Sequence, residues 1–174
     1  METACPENDW SLTWKRIRLK GLGPELTSFL FKVVHQLLPT QERVARTNPN
    51  VNGLCKAAGC NMAEREDVLH ALVTCEGNGG VGKSVIDCVS NYGLEITYQS
   101  IIRLQFKSEE SHEMPVVWIL AVAWASIWEA RTKGKKPELY VIRAELEARI
   151  NLLRDTRKFK KEAEVISNIS TNLN

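Results

Sequence analysis

Four side chains able to bind a metal fall within a short stretch of this chain, in the order Cys55-x4-Cys60-x9-His70-x4-Cys75, and no other feature restricts the fold as much. Three Cys and one His make up a tetrahedral zinc set, and ligands close in sequence supply each half of such a site. Gly59 stands directly before Cys60, where a tight ligand-bearing turn needs permissive backbone. Asp67, Val68, Leu69 and His70, then Leu72 and Val73, read as a helix, with Cys75 just past its end. Four protein ligands leave no position for water, so the expected ion is a single structural Zn2+ and not a catalytic one. The competing reading is of ordinary buried thiols beside a hydrogen-bonded His, because Cys is among the most buried residue types. The arrangement in two paired halves speaks for metal. Cys5 and Cys88 lie outside the pattern and read as structural or neutral. His35 reads as a packing residue, and His112 as a solvated loop residue.

Around that cluster the pattern is helical. Trp10, Trp14, Ile17 and Arg18 suggest a short amphipathic helix ended by Gly21 and Gly23. Pro24 suits the first position of the next helix, where its missing N–H costs nothing. Leu26, Phe29, Leu30, Val33, Val34 and Leu37 mark that helix's buried face, and Pro39 stops it. Thr40 can cap a short helix through Val44 and Ala45. Residues 47–54 are turn-formers and read as a loop. A Gly-rich turn, Gly77 to Gly82, leads into a helix with Val81, Val85, Ile86 and Val89. Residues 94–104 fit strand or helix equally, and 107–113 read as a solvated loop. Pro115 opens an apolar helix with Trp118, Trp124 and Trp128, and Gly134 breaks it. Pro137 starts a last long helix with Leu139, Ile142, Leu146, Ile150 and Leu153 on one face. Beyond residue 157 the chain is basic, then Ser/Asn-rich, with Val165, Ile166 and Ile169 as a weak helical remnant. The expected fold class is mostly α: a small helical domain around the Cys3His site, residues 10–131, followed by two longer packed helices, with residues 137–174 forming a C-terminal helix and a basic, polar tail.

Charge and hydropathy narrow the classes of partner. The net charge is only +2, but it is uneven. Residues 1–60 carry eight Lys/Arg against five Asp/Glu, 61–113 carry four against nine, and 114–174 carry eleven against seven. The two basic ends can meet phosphate; the acidic middle cannot. The candidate contacts are Lys15, Arg16, Arg18 and Lys20 at one end, and Arg131, Lys133, Lys135, Lys136, Arg157, Lys158, Lys160 and Lys161 at the other. Ordinary solvated surface charge is the competing explanation. Charges at Glu7, Asp9, Lys15 and Arg16 break the first apolar run, which is therefore not a signal peptide. The apolar stretch at 114–128 is shorter than the roughly 20 residues that a bilayer span needs, so a buried helix and no membrane partner are expected. Five cysteines, an odd count without a secretory signal, argue against a disulfide framework and for an intracellular location, nucleus or cytoplasm.

The run Ser28-Phe29-Leu30-Phe31-Lys32-Val33-Val34-His35-Gln36-Leu37-Leu38-Pro39-Thr40-Gln41-Glu42-Arg43-Val44-Ala45-Arg46 resembles the segment before the zinc ligands in the zinc-binding domain found C-terminal to non-LTR retrotransposon reverse transcriptases. Glu66-Asp67-Val68-Leu69-His70-Ala71-Leu72-Val73-Thr74-Cys75 is similar to that family's acidic stretch ending in His and Cys. Trp118, Trp124 and Ile127-Trp128-Glu129-Ala130-Arg131 are similar to the Trp- and Arg-bearing helix that follows. The likeness spans residues 10–131. One departure is that Cys55 and Cys60 are separated by four residues where two is commoner. The resemblance implies a region that helps grip template RNA or target DNA, in a chain derived from such an element. No Tyr-x-Asp-Asp polymerase run and nothing resembling an endonuclease is present.

Gly77-Asn78-Gly79-Gly80-Val81-Gly82-Lys83-Ser84 fits the phosphate-loop pattern G-x-x-x-x-G-K-[ST]. That chemistry needs a buried strand before the loop and a second acidic magnesium partner, and the sequence offers neither. The match is read as a Gly-rich turn opening a helix. The functional expectation is thus a non-catalytic zinc-stabilised module that binds nucleic acid, RNA or DNA. The alternative is a protein–protein interaction module, or a homodimer, using the helix of Trp118, Trp124 and Trp128. Nucleotide binding at residues 77–84 ranks third.

Overall fold

A computed structural model of the chain describes residues 10–60, 64–92, 97–106, 110–155 and 159–173. These form helices α1 (Trp10–Ile17), α2 (Gly23–Val34), α3 (Gln41–Ala45), α4 (Val81–Ser90), α5 (Tyr98–Ile102), α6 (Glu110–Thr132), α7 (Leu139–Arg154) and α8 (Lys160–Thr171). A π-helical turn, His70–Thr74, and a 3-10 turn, Glu76–Asn78, lie between α3 and α4. Among the described residues the β pairing is limited to an isolated antiparallel bridge, Leu54 with Arg65. The mostly α expectation holds.

Helix α6 is the axis. It packs against α2, α4, α7, α8 and the π turn, and residues 116–124 along it are all buried bar none, Trp118 and Trp124 included. It is long and apolar enough to cross a membrane by length and composition. Its apolar side chains nevertheless face protein, which is the packing of a core helix. Of the tryptophan face expected to dock a partner, Trp118 is buried, Trp124 is fully enclosed and Trp128 is half-buried. The helix begins at Glu110, earlier than Pro115 suggested, so 110–113 are its first turn rather than loop; residues 107–109 lie outside the described residues. Glu113 is fixed there by Arg16 Nε at 2.9 Å. The far end closes as expected at Gly134 (φ +65°), where Gly134 N–H bonds Arg131 O at 3.0 Å and Lys135 N–H bonds Ala130 O at 2.8 Å. That paired bonding is the left-handed glycine stop that satisfies a helix's last carbonyls.

The other elements follow their patterns with local exceptions. α2 opens on Gly23 and Pro24 and buries Leu26, Leu30, Val33 and Val34. Leu37 does not continue that face. Gln36 turns left-handed (φ 54°), which sends Leu37 to solvent and brings Leu38 inside instead. Thr40 caps α3, its hydroxyl accepting from Arg43 N–H at 3.4 Å. α7 buries Ile142, Leu146, Ile150 and Leu153. Where a polar tail was expected, α8 buries Ala163, Ile166 and Ile169 and packs on α6 and α7. One cluster of buried apolar side chains runs from Ile17 to Leu173 and contains residues from both segments that the sequence separates.

Candidate metal centre

The two halves of the site are built by different backbone devices. Cys55 sits at the bridge: its N–H bonds Glu64 O at 2.9 Å, while Glu66 N–H bonds Gly53 O at 3.0 Å. From there the chain turns over residues 56–60. Cys60 N–H bonds back to Ala57 O at 3.1 Å, and Gly59 takes φ +77°, the left-handed backbone its position called for. The second half is the π turn. Asp67 caps it, accepting from His70 N–H at 2.6 Å, and Cys75 N–H reaches back five residues to His70 O at 2.9 Å. In an α-helix, side chains five apart point about 140° from each other; widening the turn to five residues returns them towards one face. The expected helix carrying His70 is therefore present in the wider form that lets Cys75 join it.

The result is a convergence of Cys55, Cys60, His70 and Cys75, whose ligand atoms all lie within 4.8 Å of one another. Cys55 Sγ and Cys75 Sγ are 3.7 Å apart, and Cys60 Sγ is 3.3 Å from His70 Nε2. Two thiolates on a tetrahedral zinc, each at about 2.3 Å, stand roughly 3.7–3.8 Å apart. Cys55 and Cys75 are buried and Cys60 is half-buried. His70 presents Nε2 to the cluster because its other nitrogen, Nδ1, faces Glu64 Oε2 at 2.9 Å. A carboxylate behind a ligating His is the usual means of fixing its tautomer and aim. The donor set, the spacing and the outer carboxylate all fit a closed metal site.

One cation stands behind the sulfurs that the sequence reading placed elsewhere. Arg131, at the end of α6, donates to Cys55 Sγ at 3.0 Å and Cys75 Sγ at 3.3 Å, and pairs with the buried Glu66. Asn78 bridges behind it, accepting from Arg131 at 3.4 Å and donating to Ala71 O at 2.8 Å. Burial would lower the guanidinium's pKa; the two cysteine sulfurs and Glu66 outweigh it and raise it. Burial likewise works to raise Cys75, but the hydrogen bond from Arg131 wins and holds its thiol below the ordinary value. Cys60 is pushed up to about 12, first by burial and then by Cys55 and Cys75.

The candidate nucleic-acid contacts separate into groups. Arg131 belongs to the metal centre. Arg16 is 3% exposed, bonds Leu104 O at 2.6 Å and Glu113, and lies over the Phe106 ring at 4.1 Å. Both are spent inside the fold and are withdrawn as phosphate contacts. Lys133 pairs with Glu129 on the surface of α6. Lys15, Arg18, Lys20, Lys135, Lys136, Lys160 and Lys161 are exposed. Arg157 and Lys158, like Cys5, lie outside the described residues, as does the His112 side chain. His35 packs as expected, its ring 4.5 Å from Phe31 and 5.2 Å from Trp14. Before the glycine run at 77–82 stand the π turn and the 3-10 turn rather than the strand that a phosphate loop needs. Gly82 has a packing reason: a Cβ there would lie 2.2 Å from Leu72 O. Sequence reasoning missed the roles of Arg131, Glu66, Glu64 and Asn78. The one available signal was the pair of acidic residues, Glu64 and Glu66, between Cys60 and His70. The chain matches no family model, no curated protein and no solved structure.

Proposed function

We propose that this chain is a non-catalytic helical module, closed by one structural zinc ion, that binds nucleic acid. The observation that carries the zinc is the convergence of three sulfurs and one imidazole within 4.8 Å. Three thiolates and a neutral imidazole suit zinc better than the oxygen-preferring magnesium or calcium. Four protein donors complete the tetrahedron, so the ion's work is to tie the 55–60 turn to the π turn and, through Arg131, to α6. Among the described residues no nucleophile paired with a base stands beside it.

Nucleic acid is supported by the exposed cations Lys15, Arg18 and Lys20 near the end of α1 and Lys135 and Lys136 after α6, and by the resemblance of residues 10–131 to the zinc-binding region of retrotransposon reverse transcriptases. Cations that neutralise phosphates release counterions, so binding weakens as salt rises. Native mass spectrometry is expected to show one zinc per chain, and filter binding to show RNA or DNA retained at low salt and released at high salt. Absence of metal in protein purified without chelator overturns the first half; no retention at low salt overturns the second.

A further inference from the structure

We infer that a basic cleft beside the metal centre seats one unpaired nucleotide of a single-stranded nucleic acid, with its phosphate on lysines and its base against Trp128. This inference rests on the nucleic-acid reading above and names the place and the form of the ligand. The cleft holds about 450 Å³, and its lining includes Lys56, Trp128, Lys135 and Lys136, with Asn78 and Gln41 as polar groups. Four of its lining residues are cationic and a single one, Glu66, is anionic; Glu66 is already paired with Arg131. The three lysines therefore face the cleft with no acidic neighbour in its wall to neutralise them. Trp128 brings a half-buried indole to the same wall.

The metal centre shapes this cleft. Lys56 follows Cys55 directly and rides on the ligand-bearing turn. Gly77 lies where a Cβ would be 2.8 Å from Ala58 O, so the loop after Cys75 packs tightly against that turn. Lys136 lies along Gly79, whose added Cβ would sit 2.3 Å from its Cε, placing the ammonium beside the left-handed glycines that precede α4. A larger cavity of about 640 Å³ between α2, α6 and α7 shares Lys135 and Lys136 with the cleft but lacks its bias, because Glu25, Glu129, Glu138 and Glu145 line it against four cations. Volume alone would favour the larger cavity; charge selects the smaller.

Cations with an aromatic wall are the combination that holds single strands, phosphates on the charges and a base on the ring. A duplex keeps its bases stacked and cannot place one in such a cleft. The test uses the zinc-loaded chain and a labelled 12-nucleotide homopolymer, RNA and DNA, each as single strand and as duplex. K56A/K135A/K136A is expected to weaken single-strand binding at least ten-fold and to lower the salt slope by about two. The charge-matched K32A/R46A/R154A, at exposed positions outside every candidate contact, is expected to change it less than three-fold. W128A should weaken single-strand binding about ten-fold with little effect on duplex, and W128F should recover most of it. Should W128A fail to fold, the two triple variants alone decide. If the wild type binds but both triples weaken it equally, or if heparin competes equally well and W128A has no effect, the cleft is not the seat, while the nucleic-acid reading stands. If the wild type binds no nucleic acid at low salt, both fall together.

Discussion

Arg131 shows how much one side chain can carry at this site. Its guanidinium meets two sulfurs, one carboxylate and one amide oxygen, at 9% side-chain exposure. A zinc ion with three thiolates carries a net negative charge, and a buried cation beside it offsets that charge. Arg131→Met leaves both sulfurs and Glu66 without their donor. Outer-shell losses of this kind cost roughly 10–100-fold in metal affinity, and a competing chromogenic chelator should read a loss of that size. Adding Glu66→Gln removes the stranded carboxylate and should recover part of it; no difference between R131M and wild type would show that the guanidinium is a bystander. At the ligands themselves, Cys60→Ser or His70→Ala should abolish stoichiometric zinc in native mass spectra. Proton bookkeeping gives a further prediction. In the metal-free chain Cys60 is pushed up to about 12, so near neutrality it holds its proton. Zinc binds the thiolate, so uptake at pH 7 must release that proton, and affinity must fall as pH falls. Titrating zinc into unbuffered protein should acidify the solution, and uptake without proton release would show that protonated thiols are not what the metal binds.

Among the elements, the π turn and α4 act as one packed unit. The turn places His70 and Cys75, and α4 crosses it so closely that position 82 has no room for a side chain: a Cβ would lie 2.2 Å from Leu72 O and 2.7 Å from Val73 Cα. Both neighbours are backbone and cannot swing away. Gly82→Ala should therefore cost about 1–3 kcal/mol, the usual range for overpacking, and lower the melting temperature by several degrees. Lys83→Ala, one residue on and exposed, should leave it unchanged. A phosphate loop would reverse that order for nucleotide binding, since its lysine would carry the effect and nucleotide would stabilise only the wild type. Thermal melts with and without a nucleoside triphosphate separate the two.

For the whole molecule, the buried cluster from Ile17 to Leu173 is continuous and includes α6, α7 and α8 together with the helices before the metal centre. Chelation should then lower the midpoint of one cooperative transition rather than melt a separate zinc domain. Calorimetry with and without a chelator tests this. Two resolved transitions in the zinc-loaded chain would show that residues on either side of the turn at Gly134 unfold independently.

Much of this could be read without coordinates. Helical periodicity identified α2, α4 and α7 because each buries a face that repeats every turn, and glycine and proline marked their ends; in α1 the buried face is Thr13, Arg16 and Ile17, while Trp10 is exposed. The convergence of Cys55, Cys60, His70 and Cys75 was legible because soft donors in paired spacing are rare outside metal sites. Two things depended on tertiary structure. One was the fate of the charges: a sequence records that Arg16 and Arg131 are cationic, but whether a guanidinium faces phosphate, Glu113 or a pair of sulfurs depends on which distant element lies opposite it. The other was the enclosure of α6 and the docking of α8, because an all-round apolar helix and a polar-looking tail have no preferred face until neighbouring helices supply one.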